Sequence, residues 1–234
     1  MRIAARVDAL DWTALEAALW ERGHAHEPSF LTADECGALA ASYETAAFRS
    51  RVDMGRHRFG EGEYQYFADP LPSLVASLRE HLYPRLARVA NAWAEALGHS
   101  ERFPPSLAEL RGRCRAAGQT RPTPLLLRYG AGGYNCLHQD LYGDVAFPLQ
   151  ALFPLGRPGV DYTGGELVLV EQRPRAQSAA EVLSPGQGDL VLFTTRVRPA
   201  RGRHGYHRVQ MRHGVSRVRT GSRTALGVIF HDAR

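Results

Sequence analysis

The 234-residue chain contains no lysine: all 29 of its basic side chains are arginine, set against 24 acidic ones for a net charge of +5. That absence has two readings. One is a codon-composition bias on an ordinary solvated surface. The other is a surface for phosphates or carboxylates, which the planar guanidinium grips with paired hydrogen bonds. Cysteine is scarce as well. Cys36, Cys114 and Cys136 are odd in number and widely spaced, which argues against a disulfide framework and points to a reducing cytoplasm. No Cys-x-x-Cys pair exists, which argues against a structural zinc cluster. Charge breaks the N-terminal apolar residues at Arg2, Arg6 and Asp8, leaving no signal-peptide core. No run approaches the roughly 18 apolar residues of a membrane span. Internal repeats and low-complexity tracts are also missing. What remains is 44% apolar, enough for one substantial domain with a real core.

The first half reads as mainly helical. Trp12, Leu15 and Leu19 fall at helical spacing over 11–22, with Gly23 as a stop. Thr32 and Glu35 form a capping box, which opens a helix running to about Thr45. A third helix is predicted from about Leu71 to Leu97, interrupted at Pro84, with Leu74, Leu78, Leu82, Leu86 and Val89 on one face and Gly98 at its end. Tyr64-Gln65-Tyr66-Phe67 has the composition of an edge strand. From Pro122 onward short apolar runs alternate with Gly and Pro breakers. Strands are predicted at 124–129, 137–141, 148–155, 165–171, 181–184, 189–195, 206–213 and 223–230, with corners at Gly164-Gly165-Glu166 and Pro185-Gly186-Gln187-Gly188-Asp189. This is an α+β chain. Residues 119–234 form a jelly-roll core around a pocket, and residues 1–118 buttress one sheet within a single domain spanning 1–234.

His138-Gln139-Asp140, then His213 and Arg223, carry the chemistry. Two imidazoles and one carboxylate are the ligand set of a non-haem iron(II) site with open positions. In a strand His138 and Asp140 share a face while Gln139 points away. A 2-oxo acid can chelate such a metal, and its far carboxylate then needs a buried cation. A guanidinium stays charged and matches that carboxylate, so Arg223 is the candidate. If 206–213 and 223–230 are neighbouring strands, a three-residue loop over 220–222 pairs Arg219 with Arg223 and His213 with Ile229. Arg223 then faces the pocket, and Gly221 is free to take positive φ. Tyr129 is a second candidate for the distal carboxylate. Cys136, two before His138, either lines the pocket or packs, with packing favoured. His204 and His207 read as rim residues in a loop. His231 and Asp232, being adjacent, point to opposite faces and do not share a metal. Arg196, Arg198, Arg201, Arg203, Arg208, Arg212, Arg217 and Arg219 crowd one region, a basic rim that fits nucleic acid.

The order His138-Gln139-Asp140, Gly164-Gly165-Glu166, Gly188-Asp189-Leu190-Val191-Leu192-Phe193, His213-Gly214-Val215 and Arg223 resembles the 2-oxoglutarate- and iron(II)-dependent oxygenases, in their prolyl-hydroxylase-like branch. The longer strings from Asn135 to Gly143, Arg212 to Arg217, Glu171 to Arg175 and Ile229 to Asp232 resemble a bacterial oxygenase family described as acting on methylated, damaged DNA. The resemblance implies His138, Asp140 and His213 as iron ligands, Arg223 as the 2-oxoglutarate anchor, and the double-stranded β-helix. It also implies iron(II), 2-oxoglutarate and O2 as cofactor and co-substrates, with ascorbate as an optional addition. The activity implied is hydroxylation of a C–H bond, with oxidative demethylation of a nucleic-acid base as one form. The stretch after Arg223 is apolar up to His231. It lacks the further arginines usual in nucleic-acid repair enzymes of this kind. A protein side-chain or small-molecule hydroxylase is therefore the alternative. A cupin-like metal-binding sensor and a basic DNA-binding module without turnover stand as rival classes. A base taken out of its stack would want aromatic partners, for which Tyr64, Tyr66, Tyr134 and Tyr142 are available.

Overall fold

A computed structural model describes residues 2–173 and 175–234; Met1 and Pro174, the latter inside the Glu171–Arg175 string, lie outside the described residues. The N-terminal half consists of α1 (Ile3–Asp8), α2 (Trp12–Arg22), β1 (His24–Glu27), α3 (Ala33–Ala41), β2 (Phe48–Asp53), α4 (Met54–His57), β3 (Gly60–Glu61), β4 (Glu63–Phe67), α5 (Ser73–Ala96) and α6 (Leu107–Ala116). The C-terminal half is β5 (Leu125–Tyr129), β6 (Tyr134–His138), β7 (Leu149–Pro154), β8 (Tyr162–Gly164), β9 (Leu167–Gln172), β10 (Ala179–Leu183), β11 (Leu190–Thr194), β12 (Val197–Gly202), β13 (Gly205–Val215), β14 (Val218–Gly221) and β15 (Arg223–Ile229).

Local chemistry sets the helix ends. The Asp11 side chain accepts from the Ala14 N–H, and α2 stops at Gly23 in the left-handed region. Thr32 and Glu35 close both halves of the capping box at α3. Helix α5 runs unbroken through Pro84, against the expected interruption. Pro84 and Glu80 both face solvent, so the Glu80 carbonyl left without an N–H partner can be hydrated.

A seven-stranded sheet in the order β1-β11-β7-β15-β5-β4-β2 faces a second sheet in the order β10-β9-β13-β6-β3, with β12 also paired to β13; β14 and β8 form a short ribbon. All of the paired strands are antiparallel. Alternation along β7, β11 and β15 explains the layers. Leu190, Leu192, Leu226 and Val228 join Leu78, Leu82 and Leu86 of α5 in one core. Val191, Phe193 and Ala225 pack between the sheets against Leu167, Leu169, Val209 and Met211. The helices therefore cover the outer face of the large sheet, as expected. No helix among the described residues is long and apolar enough to cross a membrane.

Three expectations need correction. Strand β4 is not an edge: it lies between β5 and β2. Strands β13 and β15 are not neighbours, and neither Arg219–Arg223 nor His213–Ile229 pairs. His213 lies opposite His138 and Leu169, Arg223 opposite Tyr129, and Ile229 opposite Gln150. The chain leaves β13, pairs β14 with β8, and crosses to the other sheet. Gly221 takes φ +77°, as expected, but because a Cβ there would lie 2.0 Å from the Asp161 carbonyl oxygen. Finally, Arg198 is no rim residue: it is buried and ion-paired with Glu171.

Candidate metal centre and its cavity

Pairing of β13 with β6 sets His213 directly opposite His138, with ring centroids 4.2 Å apart. Strand β6 ends at His138, so Asp140 reaches the same place from the turn beyond it rather than by strand alternation. Its Oδ2 lies 3.1 Å from His213 Nε2, and its Oδ1 lies 3.6 Å from His138 Nε2. The ligand atoms of the trio all fall within 4.8 Å of one another, and no other trio of His, Cys, Asp or Glu among the described residues converges this way. His138 Nδ1 donates to the Cys136 carbonyl at 2.8 Å. A carbonyl only accepts, so Nδ1 carries the proton and Nε2 turns its lone pair to the trio. His213 Nδ1 is buried without a hydrogen-bond partner, and its ring meets Phe193 edge-on at 4.9 Å.

Burial opposes ionisation of Asp140. The neighbouring His213 and His138, and the Tyr142 hydroxyl, more than offset it and hold the carboxyl well below the usual range. Burial, then the proximity of His213, lowers His138. An anionic carboxylate and a neutral imidazole are the protonation states a divalent cation requires of its ligands.

The trio opens on a cavity of about 360 Å³ between the sheets, whose walls include Leu125, Leu127 and Tyr129 of β5, Gln150 of β7, and Arg223 and Ile229 of β15. Arg79, Arg198 and Arg223 are the largest fully buried side chains. The first two are neutralised. Arg79 donates to the Ile229 and Phe230 carbonyls and to Asp232 at 2.6 Å, and Arg198 pairs with Glu171. Arg223 forms no ion pair among the described residues, and its Nε has no hydrogen-bond partner. Its neighbours are the Tyr129 ring, with the guanidinium carbon 5.6 Å from the centroid, the Tyr162 hydroxyl, to which it hydrogen-bonds, and the Glu166 carboxylate, beyond ion-pair distance but within its field. Gly165, at φ +68°, makes room for it: a Cβ there would stand 2.8 Å from Arg223 Cδ. A buried cation without an anion is costly. The cavity therefore has a metal-ligating end and an anion-requiring end, which is what a chelating dicarboxylate spans.

Tyr129 is fully buried; its hydroxyl accepts from Asn135 Nδ2 at 3.3 Å, and burial pushes its pKa up. Tyr64, Tyr66 and Tyr142 line the cavity. Tyr134 instead lies under the Arg217 guanidinium, 4.5 Å from its ring centroid. Gln139, past the end of β6, still borders the cavity, and its amide donates to the Met211 carbonyl at 2.8 Å. Cys136 is exposed at the cavity wall, the lining alternative rather than the favoured packing. His204 is exposed in a turn, whereas His207 is half-buried within β13, opposite Ala200. His231 and Asp232 are separated as expected: His231 Nδ1 accepts from the Phe147 N–H at 3.1 Å, and Asp232 binds Arg79 and Arg111. Sequence reasoning missed Asn135 and Gln150, whose polar side chains interrupt otherwise apolar stretches. It also missed the lip of Arg58 and Phe59, the latter 48% exposed.

Residues 62–233 match the family described as an oxygenase catalysing oxidative methylation of damaged DNA. The chain is similar to an uncharacterized protein of Mycobacterium tuberculosis strain H37Rv, with 48% identity over 167 residues covering 71% of this chain and 72% of that protein. Among solved structures, it is similar in fold to a Pseudomonas putida prolyl-4-hydroxylase, with 19% identity, 99% of each chain covered and a TM-score of 0.54. A Burkholderia pseudomallei member of the 2OG-Fe(II) oxygenase family matches at 17% identity, over 96% of this chain and 94% of that one, with a TM-score of 0.55.

Proposed function

We propose a function from one premise: the chain belongs to the oxygenase family described as catalysing oxidative methylation of damaged DNA. His138, Asp140 and His213 hold iron(II). Arg223, with Tyr129 beside it, holds the far carboxylate of 2-oxoglutarate. The two facing sheets are read as a double-stranded β-helix, and residues 1–234 as one catalytic domain. The three unpaired thiols accord with a reducing cytoplasm.

When bound, iron(II) supplies the redox chemistry that couples O2-driven decarboxylation of 2-oxoglutarate to oxygen insertion into a C–H bond. The balance is R–H + 2-oxoglutarate + O2 → R–OH + succinate + CO2. On an N-methyl group, the hydroxymethyl product sheds formaldehyde and leaves the free amine. The chain's own contribution is orientation and charge. His138 presents a neutral Nε2, Asp140 an anion, and Arg223 a fixed fork. Leu125, Leu127 and Ile229 give the cavity apolar walls that a bound substrate and co-substrate would seal further against water.

The observation that carries this reading is the unpaired, buried Arg223 in the same cavity as the trio. A metal-binding sensor or a non-enzymatic DNA-binding module has no use for it. Support for a nucleic-acid base comes from the cavity mouth, where Arg58 and the exposed Phe59 and Leu137 stand together. The exposed Arg196, Arg201, Arg203, Arg208, Arg212 and Arg219 add positive charge.

The test is anaerobic addition of iron(II) and 2-oxoglutarate, read by the visible charge-transfer band. Aerobic succinate release follows, with ascorbate present to keep the iron reduced. The band and succinate are expected from the wild type and not from His138→Ala. No band from the wild type would sink the assignment. A screen of methylated single-stranded oligonucleotides and peptides then separates base demethylation from side-chain hydroxylation.

A further inference from the structure

We infer that Tyr142 and Tyr66 form a positioning pair that fixes which oxygen of Asp140 faces the metal. The inference rests on the iron-site reading above and adds residues to it. The Tyr142 hydroxyl donates to Asp140 Oδ1 at 2.8 Å, and the Tyr66 hydroxyl donates to the Tyr142 oxygen at 3.0 Å. Both protons thus point toward the carboxylate, and each bond polarises the next. A carboxylate has lone pairs on both oxygens. The Tyr142 hydroxyl occupies a lone pair of Oδ1, which also lies 3.6 Å from His138 Nε2, and leaves Oδ2, 3.1 Å from His213 Nε2, as the oxygen free of any tyrosine. A one-oxygen ligand leaves coordination positions for the co-substrates, whereas a two-oxygen ligand takes one of them.

The pair is itself held. Tyr66 is buried on β4, with the Arg49 guanidinium carbon 4.3 Å above its ring centroid. Arg49 in turn donates to the Pro122 carbonyl at 2.7 Å. The two tyrosine rings meet edge-on at 6.1 Å, and the far side of Tyr142 lies 5.8 Å from the His231 ring.

The test uses the full chain with iron(II) or cobalt(II) alone, anaerobically, in wild type, Tyr142→Phe, Tyr66→Phe and Tyr129→Phe. Metal affinity is read by calorimetry, and coordination by the cobalt visible spectrum. Tyr142→Phe is expected to weaken metal binding about 10- to 100-fold, as loss of a partner behind a metal ligand does, and to shift the cobalt spectrum. Tyr66→Phe is expected to give a smaller loss in the same direction. Tyr129→Phe, at the other end of the cavity, is expected to leave affinity for the metal alone unchanged. Melting temperatures identify a variant that merely unfolds. Wild-type affinity and spectrum in a folded Tyr142→Phe overturn the positioning role. Failure of the wild type to bind one metal per chain overturns the iron-site reading instead.

Discussion

The sharpest consequence concerns the sign of a stability change. Arg198 and Arg223 are both 2% exposed, yet replacing each by methionine should move stability in opposite directions. Arg198 neutralises Glu171, whose side chain is 14% exposed. Removing the guanidinium leaves the largely buried carboxylate with only the exposed Arg173 as partner, and Arg198→Met is expected to cost about 2–3 kcal/mol, at or below the low end for breaking a buried pair. Arg223 has no carboxylate to strand. Arg223→Met replaces a buried charge, partnered only by the Tyr162 hydroxyl and the field of the more distant Glu166, with an apolar side chain that the cavity wall accepts. Replacing buried charge this way gains about 1–4 kcal/mol, and the adjoining cavity, large enough to admit solvent, puts the expected gain near 1–2. For a protein of this size each kcal/mol is worth about 2–4 °C of melting temperature. The ligand-free variant should therefore melt a few degrees above wild type.

Ligand then reverses the order. A dicarboxylate at 100 times its Kd stabilises the wild type by about 2.7 kcal/mol, or roughly 5–11 °C. Arg223→Met should show none of that shift, while still binding iron(II) through His138, Asp140 and His213. Thermal scans of iron-loaded protein under nitrogen, with and without 2-oxoglutarate, read both quantities. A ligand-free variant less stable than wild type, or one that keeps the full 2-oxoglutarate shift, refutes the claim that this arginine waits for an anion.

Three further outcomes follow from the same structure. Gly165→Ala puts a methyl 2.8 Å from Arg223 Cδ at φ +68°. It should cost about 1–2 kcal/mol of backbone strain and weaken 2-oxoglutarate binding by titration, with iron affinity retained; unchanged 2-oxoglutarate affinity would show that Gly165 does not seat the arginine. His231 is pushed down to about 4 by burial, below its unfolded value of about 6.5. The folded state therefore binds fewer protons between those values, and the contribution is whole above about pH 6.5 and lost as pH falls toward 4. The integral is about 3 kcal/mol, read as the slope of urea-derived stability against pH, and His231→Gln should flatten that slope. Phe59→Ala should reduce single-stranded DNA affinity by about 1–3 kcal/mol in fluorescence anisotropy, the worth of one stacked base, without altering the charge-transfer band. Equal DNA affinity removes the cavity lip from substrate recognition.

The convergence of His138, Asp140 and His213 was legible because its signal is local. His138 and Asp140 are two residues apart, and His213 lies in a strand whose alternation turns it inward. Arg223 was legible for the wrong reason. The expected hairpin would have aimed it by pairing parity, whereas the chain crosses between sheets, and each strand's own alternation sets its inward face. What stayed hidden depends on pairing across long stretches of sequence. His24-Ala25-His26-Glu27 carries no strand composition, yet it pairs along β11 more than 160 residues away. Helix α6 shows only Leu107, Leu110 and Cys114 as its buried stripe, too thin a pattern to stand out among its arginines. The contact from Tyr66 through Tyr142 to Asp140 joins residues that no spacing rule connects.

That contact changes what the N-terminal half is for. Residues 1–118 read from sequence as a buttress, and α5 does pack on the outer face of the large sheet. The segment from Arg58 to Tyr66, however, reaches the cavity itself. Strand β3 pairs with β6 through Gly60 and Asn135, and the Phe59 carbonyl accepts from the Cys136 N–H at 2.8 Å. The lip carrying Arg58 and Phe59 is therefore pinned to the strand that ends in His138. Strand β4 sits beside β5 and sends Tyr66 toward the Asp140 end. Strands β3 and β4 thus take part in the same two sheets as His138, His213 and Arg223. Cutting the chain at 118 would then do more than expose an apolar sheet face. It would remove Tyr66 behind Asp140 and leave the edges of β6 and β5 unpaired. For that reason the metal centre is expected to form only in a chain that retains both halves.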